Sequence, residues 1–345
     1  MRLLTLAKEA IAREWAVCFA TRNPTDSIIK LIQKSGHEVR ILTSQDQQPA
    51  VEDNLLLHGD WLSVSQETDA TETLQIIQEF NPDWIIVDHY AIDAKWHQLV
   101  KRQCKKILVI DDLADRTIDC TILLNQNLGA IQSEYQKYSL SDCVFLIGPD
   151  YALLRQEFRD WRKYSLNRRF TGKIKKILVT MGGVDASNHT LSALMELETS
   201  KYSLGCEFTV VVGSSYPYKA KLDEYIKASK LSIKVMMNVS NMAEIMANSD
   251  LCIGASGSSS WERCCLCLPT VTLVIAENQK KIALALHKNG VAVNSDISRL
   301  KSDFATFFVD NNSGFINKFV WNSTRVCDGF GVNRVIDKME QLSEN

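Results

Sequence analysis

Leu251-Cys252-Ile253-Gly254-Ala255-Ser256-Gly257-Ser258-Ser259-Ser260-Trp261-Glu262 reads as a buried strand that runs through a turn of small residues into a helix. Free N–H groups at such a helix start attract phosphate, and glycine lets the backbone come close to it. The same turn with no ligand is an equally good reading, because Gly and Ser are ordinary turn residues. A second turn of this kind, Val179-Thr180-Met181-Gly182-Gly183-Val184-Asp185-Ala186-Ser187-Asn188, follows another short apolar run. Two such turns at strand ends of one domain can face one crevice, the expected place for a diphosphate. Glu262, one turn into its helix, could accept hydrogen bonds from vicinal ribose hydroxyls.

Outward from these turns, short β-branched runs alternate with longer amphipathic stretches along the whole chain, which predicts an α/β class with parallel sheets covered by helices. Strands are expected at 15–22, 38–43, 84–88, 106–111, 121–125 and 144–148, then at 176–181, 207–213, 233–238, 251–255, 270–275 and 291–294. Each half holds the complement of one doubly wound domain, and 345 residues suit two domains of about 150 each. The reading is an N-terminal Rossmann-like domain over 1–153, a linker over 154–175 and a C-terminal Rossmann-like domain over 176–345. The basic linker reads as a solvated helix and loop in preference to a phosphate site. Residues 1–14 read as an amphipathic helix with Leu3, Leu6, Ala7, Ala10 and Ile11 on one face. A doubly wound domain opens on its central strand, so either the fold is a variant or the chain begins late.

Composition excludes several function classes. Lys plus Arg is 39 and Asp plus Glu 41, a net charge of −2, which gives no field for a polyanion; nucleic acid is not expected, while mononucleotides stay open. The 46% hydrophobic and 23% charged content is that of an ordinary folded protein. Ten cysteines are too dilute for a disulfide scaffold, and Cys18, Cys206 and Cys252 sit in apolar runs, which fits a reducing cytoplasm. No signal peptide or membrane-spanning run is legible, so a cytoplasmic protein without a membrane partner is expected. The absence of a GxxxxGK[ST] motif disfavours a P-loop kinase, and the first half has no GxGxxG fingerprint for a nicotinamide cofactor.

Polar groups gather where strands of the first half end: Asp88-His89-Tyr90 and Asp111-Asp112. The paired Asp is a poor metal site with no His or Cys ligand spacing nearby. His89 is open to a general-base role, though a structural hydrogen-bonded role is favoured. Cys264-Cys265-Leu266-Cys267 holds a C-x-x-C spacing without a second ligand pair, so core packing is expected. His37, His58, His97, His189 and His287 are isolated, and exposure is expected for each. Ala276-Glu277-Asn278-Gln279 could point an amide across a cleft, or simply cap a helix.

Met1-Arg2-Leu3-Leu4-Thr5-Leu6-Ala7, Asp88-His89-Tyr90, Val109-Ile110-Asp111-Asp112-Leu113-Ala114-Asp115-Arg116, Leu124-Asn125-Gln126-Asn127, Gly148-Pro149-Asp150-Tyr151-Ala152-Leu153-Leu154-Arg155, Gly182-Gly183, Trp261-Glu262-Arg263-Cys264-Cys265, Ala276-Glu277-Asn278-Gln279 and Asp328-Gly329-Phe330-Gly331 together resemble the PseG family. These are UDP-2,4-diacetamido-2,4,6-trideoxy-β-L-altropyranose hydrolases of pseudaminic acid biosynthesis. The resemblance implies a GT-B-like fold of two Rossmann-like domains facing a cleft. It also implies metal-independent, inverting attack of water at the anomeric carbon, with no cofactor and a UDP-sugar as partner; a monomer is expected. It places Gly182, Gly183, Ser256, Gly257 and Ser258 around the diphosphate, Glu262 on the ribose, Met242 near uracil, and Tyr90 and Asn278 beside the sugar as the catalytic pair.

The sequence departs from the family at two points. Family members open on a strand and a G-x-G-H loop whose His is the base, and this chain starts just after that loop. The expectation is therefore an absent first strand in domain 1, and hydrolysis by this form reduced by about 10²-fold or more, the scale of a lost general base. Val184 stands where the family commonly has Ser. The rival readings are a GT-B transferase acting on UDP-N-acetylhexosamine and a catalytically impaired module that binds a UDP-sugar.

Overall fold

The computed structural model describes residues 1–42, 56–140, 142–169, 173–309 and 313–344. The chain forms two compact units, one of Met1–Leu153 with Gly331–Asn345 and the other of Leu154–Phe330. The sequence reading keeps 331–345 with the second half; the structure packs its helix, Gly331–Ser343, on the first unit. The cause is its apolar stripe of Val332, Val335, Ile336 and Met339, which is buried with Leu6 and Ala10 of the helix Arg2–Ala12. Gly331 makes the approach possible, since a Cβ there would lie 2.3 Å from the Ala152 carbonyl oxygen.

Among the described residues the first unit has six strands, which match the six expected: β1 Cys18–Arg22, β2 Glu38–Leu42, β3 Trp84–Val87, β4 Lys106–Ile110, β5 Ile122–Asn125 and β6 Val144–Ile147. Thr43, the last residue of one expected strand, lies outside the described residues. All pairings are parallel, in the orders β1-β2 and β3-β4-β5-β6. The central strands are buried on both faces, which is why they read as continuous apolar runs. Ile107, Val109 and Leu123 pack with Trp96, Val100 and Tyr135, whereas Leu108, Ile110, Ile122 and Leu124 pack with the two helices that hold Leu6 and Val335. Among the described residues the strands form two separate sheets where a doubly wound domain has one.

The second unit holds the other six: β7 Lys176–Thr180, β8 Glu207–Val212, β9 Ser232–Met237, β10 Leu251–Ala255, β11 Thr270–Leu273 and β12 Val293–Ser295. They form one parallel sheet in the order β12-β11-β10-β7-β8-β9. This is the dinucleotide-fold order: successive strands build outward from β7 to one edge, and the chain then returns to β10 and builds to the other. The switch point therefore lies between β7 and β10, where Val179 pairs with Ile253 and Thr180 with Gly254.

The 154–175 stretch is not a solvated connector. Its helix Gln156–Arg169 belongs to the second unit, with Phe158 buried. Arg162 donates to the carbonyls of Cys265 and Cys327, and Arg169 donates to those of Leu266 at 2.9 Å and Ser249 at 2.6 Å. These cations satisfy the last carbonyls of the helix Ser259–Cys265, a favourable end for positive charge. Residues 170–172 of the expected linker lie outside the described residues. No helix among the described residues is long and apolar enough to cross a membrane.

Candidate functional site

Both glycine turns of the second unit leave the carboxyl ends of neighbouring strands, Gly182-Gly183 after β7 and Ser256-Gly257-Ser258 after β10, so they flank the switch point where α/β sheets bind ligands. The amides of Gly182, Gly183, Gly257 and Ser258 donate no hydrogen bond among the described residues. Gly182 has φ +88°, a conformation that favours glycine, and a Cβ on Gly183 would meet only open space. The turn rests on Gly213 at the end of β8, where a Cβ would lie 2.0 Å from the Gly183 carbonyl oxygen. Ser256 differs from its neighbours: it is fully buried, and its hydroxyl faces the Leu273 carbonyl at 3.5 Å, so it ties the turn to β11. Open backbone donors in such turns have the chemistry to receive an anion.

The start of the helix His189–Glu198 is closed to an anion, because Asp185 already occupies it. Its carboxylate accepts the amides of His189 at 2.8 Å and Thr190 at 2.9 Å. The Gly-Gly turn and the β10 turn are thus the open parts of this edge. Glu262 is partly accessible on the helix after β10, and its carboxylate makes no hydrogen bond among the described residues. Burial pushes its pKa up to about 7, against the pull of Arg155 and Arg263. A carboxylate held so far above its ordinary range lacks the donors that would stabilise its charge, which ligand hydroxyls could supply. Asn278 is exposed in the short turn Glu277–Gln279 after β11, and the neighbouring Gln279 amide lies 3.8 Å from where a Cβ on Gly257 would sit. Met242 opens the helix Met242–Ala247 that follows β9.

In the first unit the carboxyl ends of β3, β4 and β5 carry a second cluster, centred on Tyr90. The Tyr90 hydroxyl donates to Asp112 Oδ1 at 2.6 Å, and Asn127 donates to Asp112 Oδ2 at 3.2 Å. Arg2 pairs with Asp88, and its charge acts on Tyr90 close by. Burial, and then the charge of Asp112, pushes the phenol pKa up, so Tyr90 keeps its proton. Arg116 is buried against Asp111 at 2.6 Å, with its guanidinium 5.8 Å from the Tyr90 ring centre. Asp111 also accepts the amides of Leu113 and Ala114 at 3.0 Å each. The two aspartates therefore divide their work, with Asp111 holding the loop and Asp112 holding the Tyr90 hydroxyl.

His89 has the structural role that the sequence favours. Its Nδ1 accepts the Ala91 amide at 3.2 Å, which leaves the neutral ring's proton on Nε2 as a donor. Burial also lowers its pKa. The expectation of exposed isolated histidines fails at His37 and His97, which are buried; the His97 Nδ1 accepts the Asp119 amide at 3.3 Å, and burial pushes its pKa down to about 3. Cys264, Cys265 and Cys267 are buried, as core packing requires. Sequence reasoning gave no site role to Arg2 or Trp61 and read His58 as isolated. His58 and Trp61 rings lie 5.7 and 6.0 Å from Tyr90 and 4.5 Å from each other, and Trp61 is 61% exposed. A tryptophan in the polar run Leu57-His58-Gly59-Asp60-Trp61 was the one available signal.

Residues 176–303 match the glycosyltransferase family 28 C-terminal domain. Over 221 residues the chain is 30% identical to an uncharacterized protein of Methanocaldococcus jannaschii, a match covering 62% of this chain and 45% of that one, so the chain spans less than half of that relative. Over 223 residues it is 29% identical to the UDP-2,4-diacetamido-2,4,6-trideoxy-beta-L-altropyranose hydrolase of Campylobacter jejuni, covering 64% and 77%. Among solved structures, MurG of Acinetobacter baumannii superposes with a TM-score of 0.66 at 14% identity, covering 99% of this chain and 95% of that one. With the strand orders above, this likeness shows a two-domain, Rossmann-like GT-B fold.

Proposed function

We propose that the protein is a UDP-sugar-processing enzyme that hydrolyses a UDP-activated 2,4-diacetamido-2,4,6-trideoxyhexose to UDP and the free sugar. The observation that carries this reading is the pair of glycine turns at the β7/β10 switch point, with four backbone amides open. In this scheme Gly182, Gly183, Gly257 and Ser258 hold the diphosphate through N–H donors, Ser256 fixes the turn, Glu262 accepts from the ribose hydroxyls and Met242 packs near uracil. The same donors stabilise the charge that develops on departing UDP as the anomeric C–O bond breaks, which accounts for leaving-group departure without a cation. Tyr90 and Asn278 contact the sugar; Tyr90, whose hydroxyl is held by Asp112, orients a hydroxyl or acetamido group. Support comes also from the Campylobacter relative, whose name states this hydrolysis.

A transferase is the second reading, and the match of residues 176–303 to a glycosyltransferase domain favours it. The test incubates the protein with the UDP-diacetamido-sugar and with UDP-N-acetylglucosamine, with and without a lipid or saccharide acceptor, and measures UDP and free sugar. Free sugar in step with UDP from the diacetamido donor, with inverted anomeric configuration by NMR, is expected. Sugar transfer to acceptor without free sugar would establish the transferase, and binding of UDP-sugar with no turnover of either donor would leave a binding module.

A further inference from the structure

Cys120 and Cys143 stand side by side at the amino ends of β5 and β6, the opposite end of that sheet from Tyr90. Their sulfurs are 3.3 Å apart, although 23 residues separate them along the chain. The Val144 amide donates to the Thr121 carbonyl at 2.9 Å, so the two strands are already hydrogen-bonded beside the pair. A disulfide has an S–S length of about 2.05 Å, so the two sulfurs must approach by a little over 1 Å to bond. Cys120 is buried, while Cys143 is half-buried and lines a cleft of about 330 Å³ with Gln136, Ser139, Asp142, Val144 and Phe145. One thiol thus faces a space that a small molecule can enter, with the second directly behind it.

The surroundings favour a reactive sulfur at the open position. The Cys143 pKa is lowered, first by the hydrogen bond it shares with Cys120, in which either sulfur can donate, and then by the Lys101 ammonium, against burial and the charge of Asp119. The same hydrogen bond, together with burial, raises the pKa of Cys120 and keeps it a thiol. Cys18 is the other half-buried cysteine, and burial raises its pKa; the remaining seven are buried.

We propose that Cys120 and Cys143 form a redox-active dithiol that exchanges with small disulfides of the glutathione type. The Cys143 thiolate attacks one sulfur of the disulfide, forming a mixed disulfide and expelling one thiolate. Cys120 then gives up its proton to that thiolate and attacks the Cys143 sulfur, expelling the second thiolate, which takes a proton from solvent. The protein loses two electrons and two protons, and the small disulfide becomes two thiols. The cross-link ties β5 to β6 at the end of the sheet away from the Tyr90 cluster.

The full chain is incubated with oxidised glutathione, alkylated under denaturing conditions and mapped by mass spectrometry. Alkylatable thiols are expected to fall from ten to eight, with a peptide cross-linked through Cys120 and Cys143. Cys120→Ser is expected to stop at one glutathione on Cys143, and Cys143→Ser to leave Cys120 unmodified. Modification of Cys143 should run about tenfold or more faster than that of Cys18. All ten thiols surviving in the parent protein, oxidation that falls on other cysteines, or a Cys143→Ser protein that still acquires glutathione at Cys120 would overturn the proposal. The parent mapping decides the question even if one variant fails to fold.

Discussion

Glu262→Gln separates a carboxylate kept for a ligand from one kept for the fold. The Glu262 carboxyl sits at about 7 in the folded protein against an ordinary 4.5. Between those values the folded state binds the proton more tightly than the unfolded state, so stability falls as pH rises through that window and levels off above about 7. The ionised group then costs the folded protein up to about 3 kcal/mol, at about 1.4 kcal/mol for each tenfold step in proton affinity. Glutamine carries no charge and avoids that cost. Glu262→Gln should therefore be more stable than the parent near pH 8, with the gain fading towards pH 4.5. Ligand hydroxyls donating to Glu262 favour its ionised form, so the opposite holds for binding. The parent's affinity for UDP should weaken by up to about tenfold for each pH unit below 7, and the variant should bind more weakly near pH 8 with little of that dependence. Thermal unfolding from pH 5 to 8 and calorimetric titration with UDP read the two effects. A variant less stable than the parent near pH 8, or one that keeps both the affinity and its pH slope, would refute the reasoning.

Tyr90→Phe removes the hydroxyl that donates to Asp112; turnover of the UDP-sugar should drop by about tenfold or more, as for a lost transition-state donor, with UDP affinity unchanged by calorimetry. Gly213→Ala drives a methyl group into the Gly183 carbonyl and must displace the Gly-Gly turn; UDP binding should weaken by about tenfold or more, and the melting temperature should fall with an overpacking cost of about 1–3 kcal/mol. Trp61→Ala deletes an exposed ring beside Tyr90; stability should change by less than about 0.5 kcal/mol while KM for the UDP-sugar rises severalfold and UDP affinity stays constant. A KM equal to the parent's would remove Trp61 from the sugar side.

The twelve strands among the described residues, their parallel class and the two glycine turns were legible in the sequence because a strand buried on both faces must be a continuous apolar run. The tight turns that follow must likewise use small residues. Leu251–Ala255 appears in the structure with the bounds the sequence predicts, and the other strands differ by up to three residues at an end. Side-chain roles were less legible, because they depend on partners far apart in the chain. Nothing local to Asp185 says that its carboxylate fills the start of the following helix, and nothing local to Arg2 joins it to Asp88 and Tyr90. The buried His97 is bonded by an amide 22 residues away.

By itself the sequence determined which segments are strands and helices, since periodicity and apolar run length are local properties. It also determined where the backbone turns tightly on small residues. Only the tertiary structure decided the order of the strands, the switch point between β7 and β10, and the return of Gly331–Ser343 to the first unit. Those choices depend on which apolar faces fit one another: the last helix seats its stripe against Leu6 and Ala10, with Gly331 allowing the close approach to Ala152. The same holds for Cys120 and Cys143, unremarkable in sequence and adjacent only because β5 and β6 lie side by side.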